Sequence, residues 1–505
     1  MTADTPAATV TVETERKFDA SARLRSEALV QATGYASQGM EEQDLAAQYF
    51  DTGDLRLLRS GVTLRRRTGG HDAGWHLKMP GGVDSRTEIR LPLTEEHRPP
   101  QAFVDATQVY SLGAELVAVA TLSTRRLRWP LLDLGGHEIA ELVDDLVSAY
   151  PAGTIAAPRT WREIEVELRD GVGTSVLDVI ETRLSSLGVR RSPAASKLAR
   201  VLEGHVPVRA RSKITRASSA GEVVVAYLRT QAEVLCHFDP LARAAASDAV
   251  HQMRVAARRM RGALQSFGDV LDHDRTADLV GELRWMAGEL APARDVEVMA
   301  ARFAEVLDQL PAGLDADAVR VAIESALRVR ADQAHDAVTA ALSSSRYLQL
   351  HRGIAEVLEH PPLTRRARRR AGPVLAAGIR RGLVRLEKRM RTVERSAPGN
   401  ARELALHDAR KAAKRLRYAS EVTTPALGKS VIRLQKRLRL VTVVLGDHQD
   451  AVVARAVLRE LGTQADQVGG HGFTYGVMHG IETARAETSL RRLRKAWRRA
   501  RSAAI

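Results

Sequence analysis

Hydrophobic and polar positions alternate with period two in short runs from residue 10 to about residue 170, and recur with helical spacing beyond about residue 220. Successive side chains of a strand point to opposite faces, so each run in the first part sorts its residues into two sets. In VETERKF (12–18), Glu13, Glu15 and Lys17 share one face and Val12, Thr14, Arg16 and Phe18 the other. In GVTLRRR, Thr63, Arg65 and Arg67 lie opposite Val62 and Leu64; in WHLKM, His76 and Lys78 lie opposite Trp75 and Leu77. RTEIRL sets Arg86, Glu88 and Arg90 against Thr87, Ile89 and Leu91, and TRRLRW lets Arg126 and Arg128 share a face. In AELVDD, Glu141 and Asp145 share a face with Val143; in WREIEVEL, Glu163, Glu165 and Glu167 oppose Ile164, Val166 and Leu168. Turn residues such as Gly69-Gly70, Pro80-Gly81-Gly82 and Gly135-Gly136 separate several of the runs.

A charged face on one half-buried strand ordinarily meets water. Here some strands bring mainly cations, others mainly carboxylates, and the opening strand brings both, a division that simple solvation does not predict. If the sheet closes with its apolar faces outward against helices, the charged faces line a lumen. Arginine forks bind phosphate oxygens bidentately, and carboxylates hold the divalent cations that bridge such oxygens. The pattern therefore points to a phosphate chain with metal.

At these residues the sequence resembles the CYTH family, the triphosphate tunnel metalloenzymes. The ExExK hallmark is Glu13, Glu15 and Lys17, and the likeness continues through YFDTGDLRLLRSGVTLRRR (49–67), WHLK, RTE, AELVDD, WREIEVEL and SKLAR (196–200). The resemblance implies an α+β domain built on an antiparallel eight-stranded tunnel barrel, with Mg²⁺- or Mn²⁺-dependent chemistry on a triphosphate. Carried over by position, it implies Glu13, Glu15, Asp145, Glu163 and Glu165 as metal ligands. Arg65, Arg67, Lys78, Arg86, Arg126, Arg128 and Lys197 become the triphosphate-binding set, and Lys17 orients phosphate or water; Glu88 is left between the two roles. Tunnel enzymes of this kind hydrolyse inorganic triphosphate, hydrolyse thiamine triphosphate or cyclise ATP as adenylate cyclases. With no evident aromatic clamp for a base or thiamine ring and an aromatic content of 4%, the inorganic substrate is favoured.

The 505 residues are too many for one ordinary core, and the charge is divided unevenly between two parts. Residues 1–205 carry 24 Lys and Arg against 29 Asp and Glu, a net of −5, while the remaining 300 carry 52 against 32, a net of +20. The basic excess thus belongs to the second part, where a polyanion is the expected partner. The chain is expected to divide into a disordered tail (1–9), the tunnel domain (10–204), a linker rich in Gly, Pro, Ser and charge (205–220) and an all-α domain (221–505). The single Cys236, the lack of an apolar run long enough for a membrane helix and an opening MTADTPAAT without the basic and apolar regions of a signal peptide predict a cytoplasmic protein without membrane contact.

The second part contains an internal repeat. DAVHQMRVAARRMRGAL (248–264) and LALHDARKAAKRLRYAS (404–420) place His251, Arg254, Arg258 and Arg261, and His407, Arg410, Lys414 and Arg417, at the same offsets. LAPARD, ending at Asp295, and LGDHQD, ending at Asp450, follow at nearly equal distances. A duplicated helical unit is the economical explanation. The four positions of each copy form one stripe on a helix, read as a cationic ridge nearly free of acids that needs an anionic partner.

These residues resemble the CHAD domain, together with LxxARDxEV at 290–298, FTYGVMHG and RRLRKAW near the end. The resemblance implies a duplicated helical-bundle domain whose basic surface binds long-chain inorganic polyphosphate, with Lys436 on a further basic helix, and an association with polyphosphate granules. Nucleic acid fits less well, because base reading wants Asn, Gln and aromatic residues among the basics and the ridges largely lack them. The alternative to an enzyme is a tunnel that binds phosphate without turnover.

Overall fold

The computed structural model describes residues 8–21, 23–153, 157–204, 213–467, 470 and 472–502. Contacts divide the chain into two compact units, Met1–Ala210 and Arg211–Ile505. Residues 1–7 of the expected tail and 205–212 of the expected linker lie outside the described residues, and Thr9 already belongs to a strand.

The first unit contains β1 (Thr9–Asp19), α1 (Ser26–Thr33), β2 (Ala36–Ser37), β3 (Glu41–Asp51), α2 (Arg56–Arg59), β4 (Thr63–Thr68), β5 (Gly74–Pro80) and β6 (Ser85–Leu91). It continues with α3 (Gln101–Ser111), β7 (Val117–Leu132), β8 (Glu138–Pro151), β9 (Arg159–Leu168), α4 (Ser175–Ser186), β10 (Arg190–Arg191) and α5 (Lys197–Val201). The eight long strands pair antiparallel in the order β1-β6-β5-β4-β3-β7-β8-β9, and β1 pairs with β9 to close the ring. β1 makes this closure by changing partner along its length. Its first half is opposite β6, with Glu13 facing Arg86, and its second half is opposite β9, with Lys17 facing Glu165.

Alternation then decides what lies inside. On the outer face Phe18, Trp129, Leu131, Leu142, Ile164, Val166 and Leu168 pack against Leu29 and Val30 of α1 and Leu177, Ile180 and Leu184 of α4. The charged alternates turn inward. Toward one end the interior becomes apolar: Tyr49, Ala120, Leu122, Val147, Ala149 and Trp161 pack against Leu198 and Val201 of α5 and Leu202 just after it. This short helix plugs that end. Its start is fixed by Ser196, whose hydroxyl accepts the Ala199 N–H at 3.0 Å, so that Lys197 enters the polar interior beside the plug.

The chain leaves β3 through a buried carboxylate. Asp51 accepts N–H groups from Thr52 (2.7 Å), Leu57 (2.9 Å) and Leu58 (2.9 Å), holding α2 against the strand end. Replacement by Ala would strand those donors, and an unsatisfied buried polar group costs on the order of 1–3 kcal/mol. Asp51→Ala is expected to lower unfolding free energy by about 3 kcal/mol in denaturant titration. A loss within about 0.5 kcal/mol, the range of an ordinary surface change, would contradict this role.

The second unit is helical: α6 (Ala220–Arg243), α7 (Ala249–Ser266), α8 (Ala277–Glu289), α9 (Ala291–Leu307), α10 (Ala316–Leu342), α11 (Ser345–Glu359), α12 (Ala371–Arg395), α13 (Asn400–Val422), α14 (Thr424–Leu427), α15 (Lys429–Gln467) and α16 (Gly472–Arg501). Ser219 and Glu222 form a reciprocal capping box that starts α6. The repeat helices α7 and α13 pack on each other, and Gly262 lets them approach, since a Cβ there would come within 3.3 Å of the Tyr418 Cβ. No helix among the described residues is long and apolar enough to cross a membrane.

Candidate active site and basic pocket

A cavity of about 280 Å³ inside the barrel is lined by the predicted Glu13, Glu15, Lys17, Arg65, Arg67, Lys78, Arg86, Arg126, Arg128, Glu165 and Lys197. β1, β8 and β9 supply its glutamates, Asp72 adds a carboxylate between β4 and β5, and β4 and β7 supply most of its arginines, so an acidic wall faces a basic one. Beside the plug, Lys197 Nζ lies 2.8 Å from Glu165 and 3.0 Å from both Asp145 and Glu163. Arg126 forks onto Asp145 at 2.7 and 2.8 Å and reaches Glu165 at 3.3 Å. Lys17 donates to Glu15 at 2.9 Å and also to Glu165. Burial opposes the Lys17 charge, but Glu15 and Glu165 outweigh it and hold the ammonium above its ordinary range.

In the middle of the cavity Lys78 pairs with Glu13, and Arg90 reaches Glu13 at 3.1 Å. Glu88 is fully buried behind them, pairs with Arg90, and meets His76 Nδ1 at 2.9 Å. Burial brings the His76 ring down to about 3, so it is neutral. Glu88 thus serves the cations of the wall. Toward the other end Arg128 meets Glu141 at 2.8 Å and Glu41 at 3.3 Å, and Arg169 meets Glu141 at 2.9 Å.

Two of the expected metal ligands are placed differently from the rest. Asp145 and Glu163 are fully buried and do not line the cavity; they hold Lys197 and Arg126 from behind. Glu167 does line it, opposite Glu15 in the β1–β9 register. Among the described residues it keeps no cation within ion-pairing distance, unlike Glu13, Glu15, Glu141 and Glu165. Burial pushes its carboxyl up to about 7, with repulsion from Glu13 and Glu15 against the pull of Lys78. Arg90, Glu141 and Arg169 are further wall residues that the motif comparison did not single out, although alternation already placed Arg90, Glu141 and Glu167 on charged faces. Among the described residues, no three metal-ligating side chains converge as a ready-made metal site, because most of the carboxylates lean on resident lysines and arginines. The donor chemistry nevertheless fits a hard divalent cation: Glu13 and Glu15 on β1 face the same space as Glu165 and Glu167 on the adjacent β9, and a cation there would favour the charged form of Glu167.

In the helical unit a second pocket, of about 260 Å³, forms where α7 meets α13. It brings together Arg258 and Arg261 with His407, Arg410 and Lys414, and adds Lys411, Arg415 and Tyr418. Burial and the neighbouring Arg410 and Arg258 lower the Lys414 ammonium to about 7. Other ridge residues lie outside the pocket. Arg254 donates to the Ala291 carbonyl at 3.1 Å and is 3.6 Å from Asp295; Arg417 lies over the Tyr418 ring and 3.8 Å from Glu421; Lys436 is exposed on α15. His251 is half-buried, and burial lowers its ring below the ordinary range. His407 Nδ1 meets Gln449 Oε1 at 3.2 Å.

The expectation of two ridges nearly free of acids is therefore corrected. The acids come mainly from other helices: Asp295 of α9 stands by Arg254, and Asp450 of α15 by Arg410 at 3.7 Å. Glu421, one turn beyond the α13 stripe, binds Arg259 at 2.9 Å. The Arg254–Asp295 and Arg410–Asp450 pairs occupy equivalent places in the two repeats.

A comparison with family profiles matches CYTH over residues 11–202 and CHAD over residues 226–459. Two uncharacterised proteins of Mycobacterium tuberculosis, from strains CDC 1551 / Oshkosh and H37Rv, are each 34% identical over 519 aligned positions, covering 97% of this chain and 98% of theirs. Among solved structures, PptA from Streptomyces chartreusis matches at 23% identity with a TM-score of 0.47, covering 56% of this chain and 100% of its own. The CHAD domain of Ricinus communis matches at 27% identity and a TM-score of 0.46, covering 58% and 96%. The chain belongs to the family in which a CYTH domain, whose members act on triphosphates, is followed by a CHAD domain.

Proposed function

We propose that the barrel hydrolyses inorganic triphosphate with Mg²⁺ or Mn²⁺ and that the helical unit binds inorganic polyphosphate. The observation that carries the first part is the pair of facing walls: Arg65, Arg67, Arg126 and Arg128 against Glu13, Glu15, Glu165 and Glu167 around one cavity. The arginines bind non-bridging phosphate oxygens, and Lys17 and Lys78 exchange a carboxylate for a phosphate oxygen when substrate enters. Glu13, Glu15, Glu165 and Glu167 would hold the metal, which when bound supplies a Lewis acid and a polarised water. Lys197, clamped by three carboxylates, fixes Glu165 in place. No covalent intermediate is required of the protein, since positioning and charge stabilisation carry most phosphoryl transfer.

Substrate choice follows from the wall. Tyr49 and His71 supply its only rings among the described residues, and Tyr49 is packed into the apolar end, so no aromatic platform is offered to a base or a thiamine ring. Phosphate release from tripolyphosphate with Mg²⁺ or Mn²⁺ is expected to exceed release from ATP or thiamine triphosphate by at least about tenfold in kcat/KM, the size of one lost polar contact. Equal turnover of ATP would overturn the inorganic assignment, and no turnover of any of the three would leave a phosphate-binding barrel. A cytoplasmic place on polyphosphate granules follows as part of the same reading.

A further inference from the structure

The basic pocket of the helical unit has an asymmetry that its repeat does not require. At the position eleven residues after each repeat histidine, the first copy has Gly262 and the second Tyr418, and these two residues pack on each other. Beside this contact lies one pocket, to which α13 contributes His407, Arg410, Lys411, Lys414 and Arg415 and α7 contributes Arg258 and Arg261. No carboxylate is among its lining residues.

Carboxylates stand instead at both ends of the cationic stretch. Asp295 and Asp450 flank Arg254 and Arg410 at one end, and Glu421 joins Arg259 and Arg417 at the other. A phosphate chain running straight along α7 and α13 would have to pass these acids. A chain that enters and stops meets a lining of cations and neutral groups without a carboxylate. An internal phosphate of a linear chain carries one negative charge, whereas a terminal phosphate, with its second ionisation near neutrality, carries between one and two. A cluster of mutually repelling cations therefore matches the chain end best. Lys414, its charge disfavoured by burial, Arg410 and Arg258, gains most from such a neighbour.

We propose that this pocket captures the terminus of a linear phosphate chain, one end per protein molecule. The inference rests on the reading of the helical unit as a polyphosphate binder and adds which part of the polymer is held.

The test uses the full chain and linear polyphosphate of two defined lengths, one several-fold longer than the other, at physiological ionic strength. End capture is expected to saturate at no more than two protein molecules per polymer at both lengths. Blocking both termini as phosphate esters is expected to weaken binding roughly ten- to hundredfold, the size of a lost charge-assisted contact. Lys414→Met and Arg258→Gln, each checked for native helicity, are expected to bind blocked and free chains alike. Stoichiometry rising in proportion to length, or equal affinity for blocked and free chains, would overturn end capture while leaving polyphosphate binding in place. Failure to bind either length would overturn both readings.

Discussion

Glu13→Gln is expected to lower metal-dependent phosphate release from tripolyphosphate by roughly a hundred- to a thousandfold in kcat, the cost of removing one preorganised charge from a site that stabilises phosphoryl transfer. The substitution keeps the side chain's size and leaves an oxygen able to accept the Arg90 hydrogen bond now made at 3.1 Å. It removes the charge that Lys78 and Arg90 share and that would coordinate the cation. The neighbouring residue supplies the control. Val12 points out of the barrel and is 60% exposed, so Val12→Thr should leave turnover unchanged although it lies one residue away on the same strand. A Glu13→Gln protein with native circular dichroism and full activity would separate the acidic wall from the chemistry. A fall of equal size in both variants would show damage to β1 in place of a lost ligand.

Much of the barrel was legible because its strands obey a strict alternation in which one set is charged. The inward placement of Glu13, Glu15 and Lys17, and of Arg65, Lys78, Arg86, Arg126 and Glu165, follows from period two alone once the sheet is taken to close. β3 carries no such signal. In EEQDLAAQYFD the inward side includes Leu45, Ala47 and Tyr49, so apolar residues lie on the lumen side and the polar alternation that marks the other strands is missing. Nor does alternation tell how far along the axis a carboxylate sits. Glu163, Glu165 and Glu167 share a face of β9, but only the latter two reach the cavity, because the interior beyond Glu163 is closed by Trp161 and the apolar side of α5. That plug is formed by residues some thirty or more positions away in sequence. No local pattern announces it.

In the helical unit the repeat and its stripes were legible, while their electrostatics were not. Spacing along α7 and α13 counts only the charges of one helix, and Asp295 and Asp450 arrive from α9 and α15. Their nearly equal offsets from the two histidines were a visible sign of duplication. That they would close the ridge they belong to depends on packing.

Lys197→Met is expected to cost about 3–5 kcal/mol of stability, the range for removing one partner from a buried ion pair and leaving its counter-charges uncompensated. The ammonium stands within 3.0 Å of Asp145, Glu163 and Glu165, of which the first two are fully buried. Methionine fills a similar volume, so the loss would report charge and not a cavity. Arg126 remains on Asp145 and Lys17 on Glu165, which leaves Glu163 most exposed to the change; its next cation, Arg200, is 3.8 Å away. The double variant Lys197→Met with Glu163→Gln is therefore expected to recover on the order of 1–3 kcal/mol of the loss in a double-mutant cycle, the coupling found for residues in direct contact. Denaturant unfolding of the full chain, followed by the fluorescence of barrel residues Trp75, Trp129 and Trp161 together with Trp285 and Trp497 of the helical unit, measures both terms. Additive single effects would mean that Lys197 does not hold Glu163. In that case the stabilising contacts of Lys197 would be those to Asp145 and Glu165, at 3.0 and 2.8 Å.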